Sequence, residues 1–120
     1  MAERFAGVAY VTVNGSPMPV RGGLTVHAAR FNRTGIAGQD GVHGYSEVPV
    51  VPAIELDISN TADVSADDIQ ALTDATVIAE TASGKVYTLR NAWKAGVYDI
   101  NTAEGSTRVR FEGMDIQEYV

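Results

Sequence analysis

His27 and His43 are the only imidazoles in this chain, and Asp40 stands three residues before the second. A carboxylate beside an imidazole can ligate a metal, but a stable site converges three or four ligands. The sequence gathers no such set around Asp40 and His43, so the pair reads as part of a polar loop, and no metal is expected. Gly35, Gly38, Gly41 and Gly44 have the glycine density of a phosphate loop. The G-x-x-x-x-G-K-[ST] pattern is absent, however, and no strand–GxGxxG–helix context surrounds them. No G-x-S-x-G elbow places a nucleophilic serine. Glu55 and Asp57 stand two apart, which puts both on one face of a strand. Such a pair can do acid–base work in a cleft, but on an exposed strand it is a solvated face. Asn32-Arg33-Thr34 spells a glycosylation sequon, without a signal peptide to give it meaning. Trp93, the sole tryptophan, reads as a core or interface anchor. These residues are isolated, not a constellation, so neither an enzyme nor a cofactor is expected.

Composition narrows the classes further. The 120 residues suit one domain, and a 45% hydrophobic share is enough to build a core. Without cysteine there are no disulfides and no thiolate metal sites. The charged start Met-Ala-Glu-Arg is unlike a secretory leader, and no apolar run approaches the roughly 20 residues that span a bilayer. Folding in a cytoplasm, with no membrane anchor, is the expectation. A net charge of −6 argues against gripping nucleic acid by its phosphates. It suits a surface that DNA must pass without sticking.

Most of the chain is predicted to be strand. Phe5–Asn14 is apolar on both faces, which predicts burial between two layers, and ends at the tight-turn pair Asn14-Gly15. A short strand at Met18–Arg21 precedes Gly22-Gly23, and another is expected at Leu24–Arg33. The glycines and prolines of about 35–52 predict a long, pliable loop. Ala53–Ile58 alternates, with Ile54, Leu56 and Ile58 inward and Glu55 and Asp57 outward. Ser65 with Asp68 three residues on predicts an N-capped helix at about 66–73. Thr76–Ala82 and Lys85–Asn91 flank the turn Ser83-Gly84, and Ala95–Asn101 and Ser106–Glu112 form a second hairpin. In the last of these Val109 and Phe111 face one way, Arg108, Arg110 and Glu112 the other. The expected fold is therefore mainly β: an antiparallel sandwich or partial barrel with one short flanking helix and a long glycine-rich loop.

An ordered set of short stretches resembles the Mu-like bacteriophage tail tube protein family. It begins with Ala2-Glu3-Arg4-Phe5-Ala6-Gly7, Ala9-Tyr10 and Pro19-Val20-Arg21-Gly22. The middle match runs Arg33-Thr34-Gly35-Ile36-Ala37-Gly38-Gln39-Asp40 and on through Val42-His43-Gly44-Tyr45. Thr73 to Val77, Gly84-Lys85 and Leu89-Arg90-Asn91-Ala92-Trp93 follow. The set closes with Asn101-Thr102, Glu104-Gly105 and Arg108 to Met114. It spans nearly the whole chain in order. The stretches Thr25–Asn32, Val48–Val51 and the tail after Met114 depart from it.

The resemblance implies a structural subunit that assembles with itself. Six copies form a ring whose inner strands close one barrel around a channel, and rings stack into a hollow tube for DNA. Sheath, tape measure and baseplate proteins are the implied partners, and assembly in a host cytoplasm followed by residence in the virion tail is the implied location. On that frame the loop residues Gly35, Gly38, Gln39, Asp40, His43 and Tyr45 are candidates for contact between rings. Glu55, Asp57, Asp99, Arg108 and Arg110 are candidates for an acidic lumen wall. Six copies at −6 each carry −36 per implied ring. The tube of a type VI-like secretion system or contractile bacteriocin is the neighbouring alternative. A small ligand-binding β-barrel is a more remote one, and it predicts a monomer with an apolar interior pocket.

Overall fold

The computed structural model describes residues 8–62 and 64–119. Strand β1 (Tyr10–Val13) turns through Asn14 and Gly15, both at positive φ (50° and 84°), into β2 (Ser16–Pro17). Two successive positive φ values are what a two-residue hairpin turn demands, which explains the Asn-Gly pair. Only one face of β1 is apolar and buried, through Val11 and Val13, while Tyr10 is exposed. The expected two-sided burial is not realised, and Phe5–Gly7 of the predicted strand lie outside the described residues. β3 (Val20–His27) runs through Gly22-Gly23, and register shifts against its neighbour absorb both glycines. It therefore joins the first expected strand to the start of the second, whose expected course to Arg33 is broken after His27, with Phe31 opening the next strand.

Residues 28–51 are exposed along their whole length, yet 35–52 is not the pliable loop that its glycines predict. β4 (Phe31–Gly38) and β5 (Gly41–Pro49) pair from Phe31↔Pro49 to Gly38↔Gly41 around the two-residue turn Gln39-Asp40. The interspersed Thr34, Ile36, Val42, Tyr45 and Val48 are good strand formers, and backbone pairing does not require side chains at the glycines between them. The result is a projecting two-stranded arm. The radius of gyration is 17.3 Å, against about 14 Å for a compact domain of this length.

β6 (Ala53–Ser59) alternates as predicted, with Ile54, Leu56 and Ile58 fully buried. Helix α1 (Ala66–Gln70) starts where expected, with Ser65 Oγ accepting a hydrogen bond from the Asp68 N–H at 3.3 Å. It stops at Ala71, short of residue 73; beyond it the Leu72 carbonyl accepts from the Lys94 N–H at 3.1 Å. β7 (Ala75–Glu80) and β8 (Val86–Ala95) form the predicted hairpin. β8 is longer than expected. It ends at Ala95, where Gly96 takes a φ of +72°, so only β9 (Ile100–Asn101) remains of the predicted Ala95–Asn101 strand. β10 (Ser106–Glu112) lies between β6 and β8, and β11 (Asp115–Tyr119) pairs with the first half of β8.

All pairings are antiparallel, and β8 belongs to two sheets. Its first half sits between β7 and β11, with β1 and β2 beyond β7; its second half pairs with β10, which leads to β6 and then β3. Asn91, at φ +51°, marks the change, and its Nδ2 donates to Asp74 Oδ1 at 2.8 Å. The core fills the space between the sheets. Val11, Val77, Ala79 and Leu89 meet Ile54, Leu56, Ile58, Val109 and Phe111, and Ile69 of α1 closes one side. Phe111 is the largest fully buried side chain. Phe111→Ala should destabilise the chain by about 3–5 kcal/mol in a urea titration, because the two sheets cannot collapse onto the space it leaves.

Candidate functional site: a charge ladder and a projecting arm

The outward face of β3–β6–β10 gathers most of the predicted polar residues. Register places Arg108 opposite Asp57 and Arg110 opposite Glu55. Glu55 is the hub. Its carboxylate lies 3.2 Å from Arg110 Nη1, 3.8 Å from Arg108 Nη2 and 2.9 Å from His27 Nε2. Arg108 Nη1 lies 3.5 Å from Asp57, and Arg110 Nε bonds Glu112 at 3.1 Å. Three carboxylates thus meet two guanidiniums, so the face is close to neutral and not the acidic wall that Glu55 and Asp57 alone suggest. His27 and Glu112 also belong to the ladder; the alternation of the last strand already puts Glu112 on the face of Arg108 and Arg110, while neither residue is among the lumen candidates. The signal was present: Thr25 and His27 alternate on the strand before the arm, and Glu112 continues the Arg108–Arg110 spacing.

Gly23 is what lets the ladder close at its β3 edge. It sits at φ +63°, and its carbonyl accepts from Arg108 Nη1 at 2.8 Å. A Cβ there would meet that same nitrogen at 2.7 Å and Asp57 Oδ2 at 2.8 Å, so any larger residue would displace the ion pair.

Asp99 does not join the ladder. It lies exposed in the turn after β8, where its charge acts on Lys94. Burial lowers the Lys94 pKa and Asp99 only partly opposes this. Trp93 is not a core residue. The positive φ at Asn91 breaks the alternation of β8, so that Leu89 and Ala92, three apart, both point inward. Trp93 is thereby turned to the ladder's face, opposite Glu112, where it is partly buried. An interface anchor is the part of the expectation that this position leaves standing.

The arm carries Gly35, Gly38, Gln39, Asp40, His43 and Tyr45 together, as the sequence grouped them, but on paired strands. One of its faces presents Phe31, Tyr45 and the Arg33–Glu47 ion pair at 2.8 Å, with the Arg33 guanidinium 5.9 Å from the Tyr45 ring centre. At the tip the His43 ring packs over Gly38, where a Cβ would meet it at 2.4 Å, and Nε2 lies 2.6 Å from Asp40 Oδ1. That hydrogen bond holds the Asp40 carboxyl below its usual range. The root is tied to the body by Arg30, which reaches Asp115 at 3.3 Å and donates to the Ile116 carbonyl.

Among the described residues no three His, Asp or Glu side chains gather to hold a metal, and no helix is long and apolar enough to cross a membrane. The space between the sheets is filled by the core. A groove lies on the surface, between α1 and the β1–β2 turn.

The His27 hydrogen bond is the main cause that lowers the Glu55 pKa, followed by the Arg110 hydrogen bond, with burial opposing both. A lowered folded-state pKa stabilises the fold above the unfolded value of about 4.3 and loses that contribution as pH falls through the folded value. Glu55→Gln should therefore lower Tm at pH 7. The gap to the unmodified chain should narrow steadily as the pH is taken from 5 to below 3, followed by circular dichroism melts.

The model of the family described as phage tail tube protein matches residues 2–118. The Mu-like prophage FluMu tail tube protein of Haemophilus influenzae strain Rd is 30% identical over 115 residues, 96% of each chain. Two solved structures share the fold at low identity. The sheath/tube terminator of an extracellular contractile injection system superposes with a TM-score of 0.65 at 9% identity, over 93% of each chain. Hcp1 from Flavobacterium johnsoniae superposes at 0.62 and 10% identity, over 93% of this chain and 94% of that one. The family is one of structural proteins of the phage tail, and by a match spanning almost its whole length this chain belongs to the phage tail tube protein family.

Proposed function

We propose that six copies of this chain form a ring, that rings stack head to tail, and that DNA passes through the resulting channel. The observation that carries the reading is the arm. A two-stranded ribbon with both faces in water is marginal by itself. This one presents Phe31, Ile36, Val42, Tyr45 and Val48 to solvent, with Val42 84% exposed. Such a ribbon gains its stability by packing on something else, and in a tube that is a neighbouring copy. Among the described residues the path of paired strands ends at β3 on one side and at β2 on the other, and these open edges are the second requirement, since an open sheet closes only by borrowing a strand.

In this arrangement the ladder face of β3–β6–β10 lines the channel. Its arginines are already engaged by carboxylates, so neither is left to hold a phosphate, and DNA meets a surface without a binding site. Each copy contributes a surplus of one negative charge from the ladder, a small part of its −6. The lumen is weakly acidic, with the remaining acidic side chains elsewhere on the subunit. Trp93, on the same face beside the edge, is placed to anchor the seam between ring neighbours. Sheath, tape measure and baseplate proteins complete the partner set, with assembly in the host cytoplasm before residence in the tail. The fold shared with injection-system and Hcp proteins supports a secretion or bacteriocin tube as the second reading.

Deleting Gly38–Gly44 removes the arm's tip without touching the core. The variant should keep its circular dichroism spectrum and cooperative melt while forming no tubes by negative-stain microscopy. Tubes of ordinary length from it would refute the role given to the arm.

A further inference from the structure

The arm and the surface groove occupy opposite ends of the same strand pair. β3 and β6 meet at His27↔Ala53 where the arm leaves and returns, and at Val20↔Ile58 at the far end. Just beyond that far end Pro17, Met18 and Pro19 lead into β3, and Thr61 and Val64 follow β6. These residues, with Leu72 beyond α1, wall a groove of about 630 Å³. A projection at one end and a recess at the other is the geometry of a heterologous contact that repeats along an axis and does not close.

Resting on the stacked-ring reading, we infer that this groove is the receptor for the arm tip of a copy in the adjacent ring. The exposed area supports a second copy as occupant. The chain exposes 7803 Å², about 1,600 Å² more than the roughly 6,200 Å² expected for a compact monomer of 12.7 kDa. A standard interface takes about 800 Å² from each partner, so the excess is more than enough for contact with a second copy. The chemistry of the two surfaces also agrees. Val42, the most exposed large apolar residue described, sits beside the tip and meets a groove with walls of Met18, Val64 and Leu72. Asp40 does not arrive as a bare charge beside Asp68, because His43 already holds it. Ser16, Asn14 and Thr61 at the groove supply polar partners for the backbone of the Gly38–Gly41 turn.

The chain has no cysteine, so introduced thiols are the only ones a cross-linker can join. Val42→Cys and Thr61→Cys both change exposed residues. When the double variant is assembled and treated with a short thiol cross-linker, a denaturing gel should show a ladder of covalent multimers, and each single variant should stay monomeric. Tubes visible by microscopy with no ladder would overturn the groove assignment and leave the stacked rings intact. Failure of the unmodified chain to form any ring or tube would overturn the stacked-ring reading and the groove with it. Thr61→Trp is the second arm of the test. It fills the recess from an exposed position and should give rings that no longer stack; tubes of ordinary length from it would also refute the assignment.

Discussion

The bend of β8 at Asn91 is the constraint on which the rest of the structure depends. One strand serves two sheets because its backbone takes a φ of +51° there, and Asp74 holds the side chain that makes this tolerable. Asparagine is among the few non-glycine residues that occupy this region at modest cost. The bend lets the first half of β8 pair with β7 and β11 and the second half with β10. The sheets consequently face one another and bury a common core. It also inverts the alternation that follows it, which sends Trp93 to the polar face. A regular strand would have kept Trp93 inward with Leu89.

That polar face is organised by pairing more than by net charge. Each ladder carboxylate has a guanidinium within 4 Å, and Glu55 is shared among His27, Arg108 and Arg110. These are partly exposed pairs, individually worth about 1 kcal/mol or less. Shared partners lower the entropy lost per contact, since a side chain held by one ion is already ordered for the next. The ladder thus keeps five charged side chains and His27 in defined positions across three strands. A surface built this way offers a polyanion neither a free cation nor a dense anionic field.

The arm follows a different logic. Its strands satisfy one another's inner backbone edges, but both faces and both outer edges meet solvent. Glycines at Gly35, Gly38, Gly41 and Gly44 keep the ribbon thin, and at Gly38 the missing Cβ makes the seat for the His43 ring. A thin, shaped ribbon tied to the body through Arg30 suits insertion between neighbours. The proposed packing on a neighbouring copy would bury the aromatic and branched residues that this part of the chain exposes.

Local chemistry was readable from the sequence because it acts within a few residues. The Asn14-Gly15 turn, the Ser65 cap, the β7–β8 hairpin and the alternation of Ile54, Leu56 and Ile58 each depend on neighbours along the chain. So does the shared face of Arg108 and Arg110, and the ordered matches to a tail tube family. Tertiary structure alone decided what depends on partners far away in sequence. His27 meets Glu55 because β3 pairs with β6, and Arg30 meets Asp115 across most of the chain. Glycine density in 35–52 outweighed the strand formers among them, and only pairing between β4 and β5 shows that the backbone there is extended. Asp99 left the ladder and Trp93 left the core for one reason: strand length and facing are set by the φ at Gly96 and Asn91, and at Asn91 the cost of a positive φ is offset by Asp74 and by sheets that meet only in the folded chain.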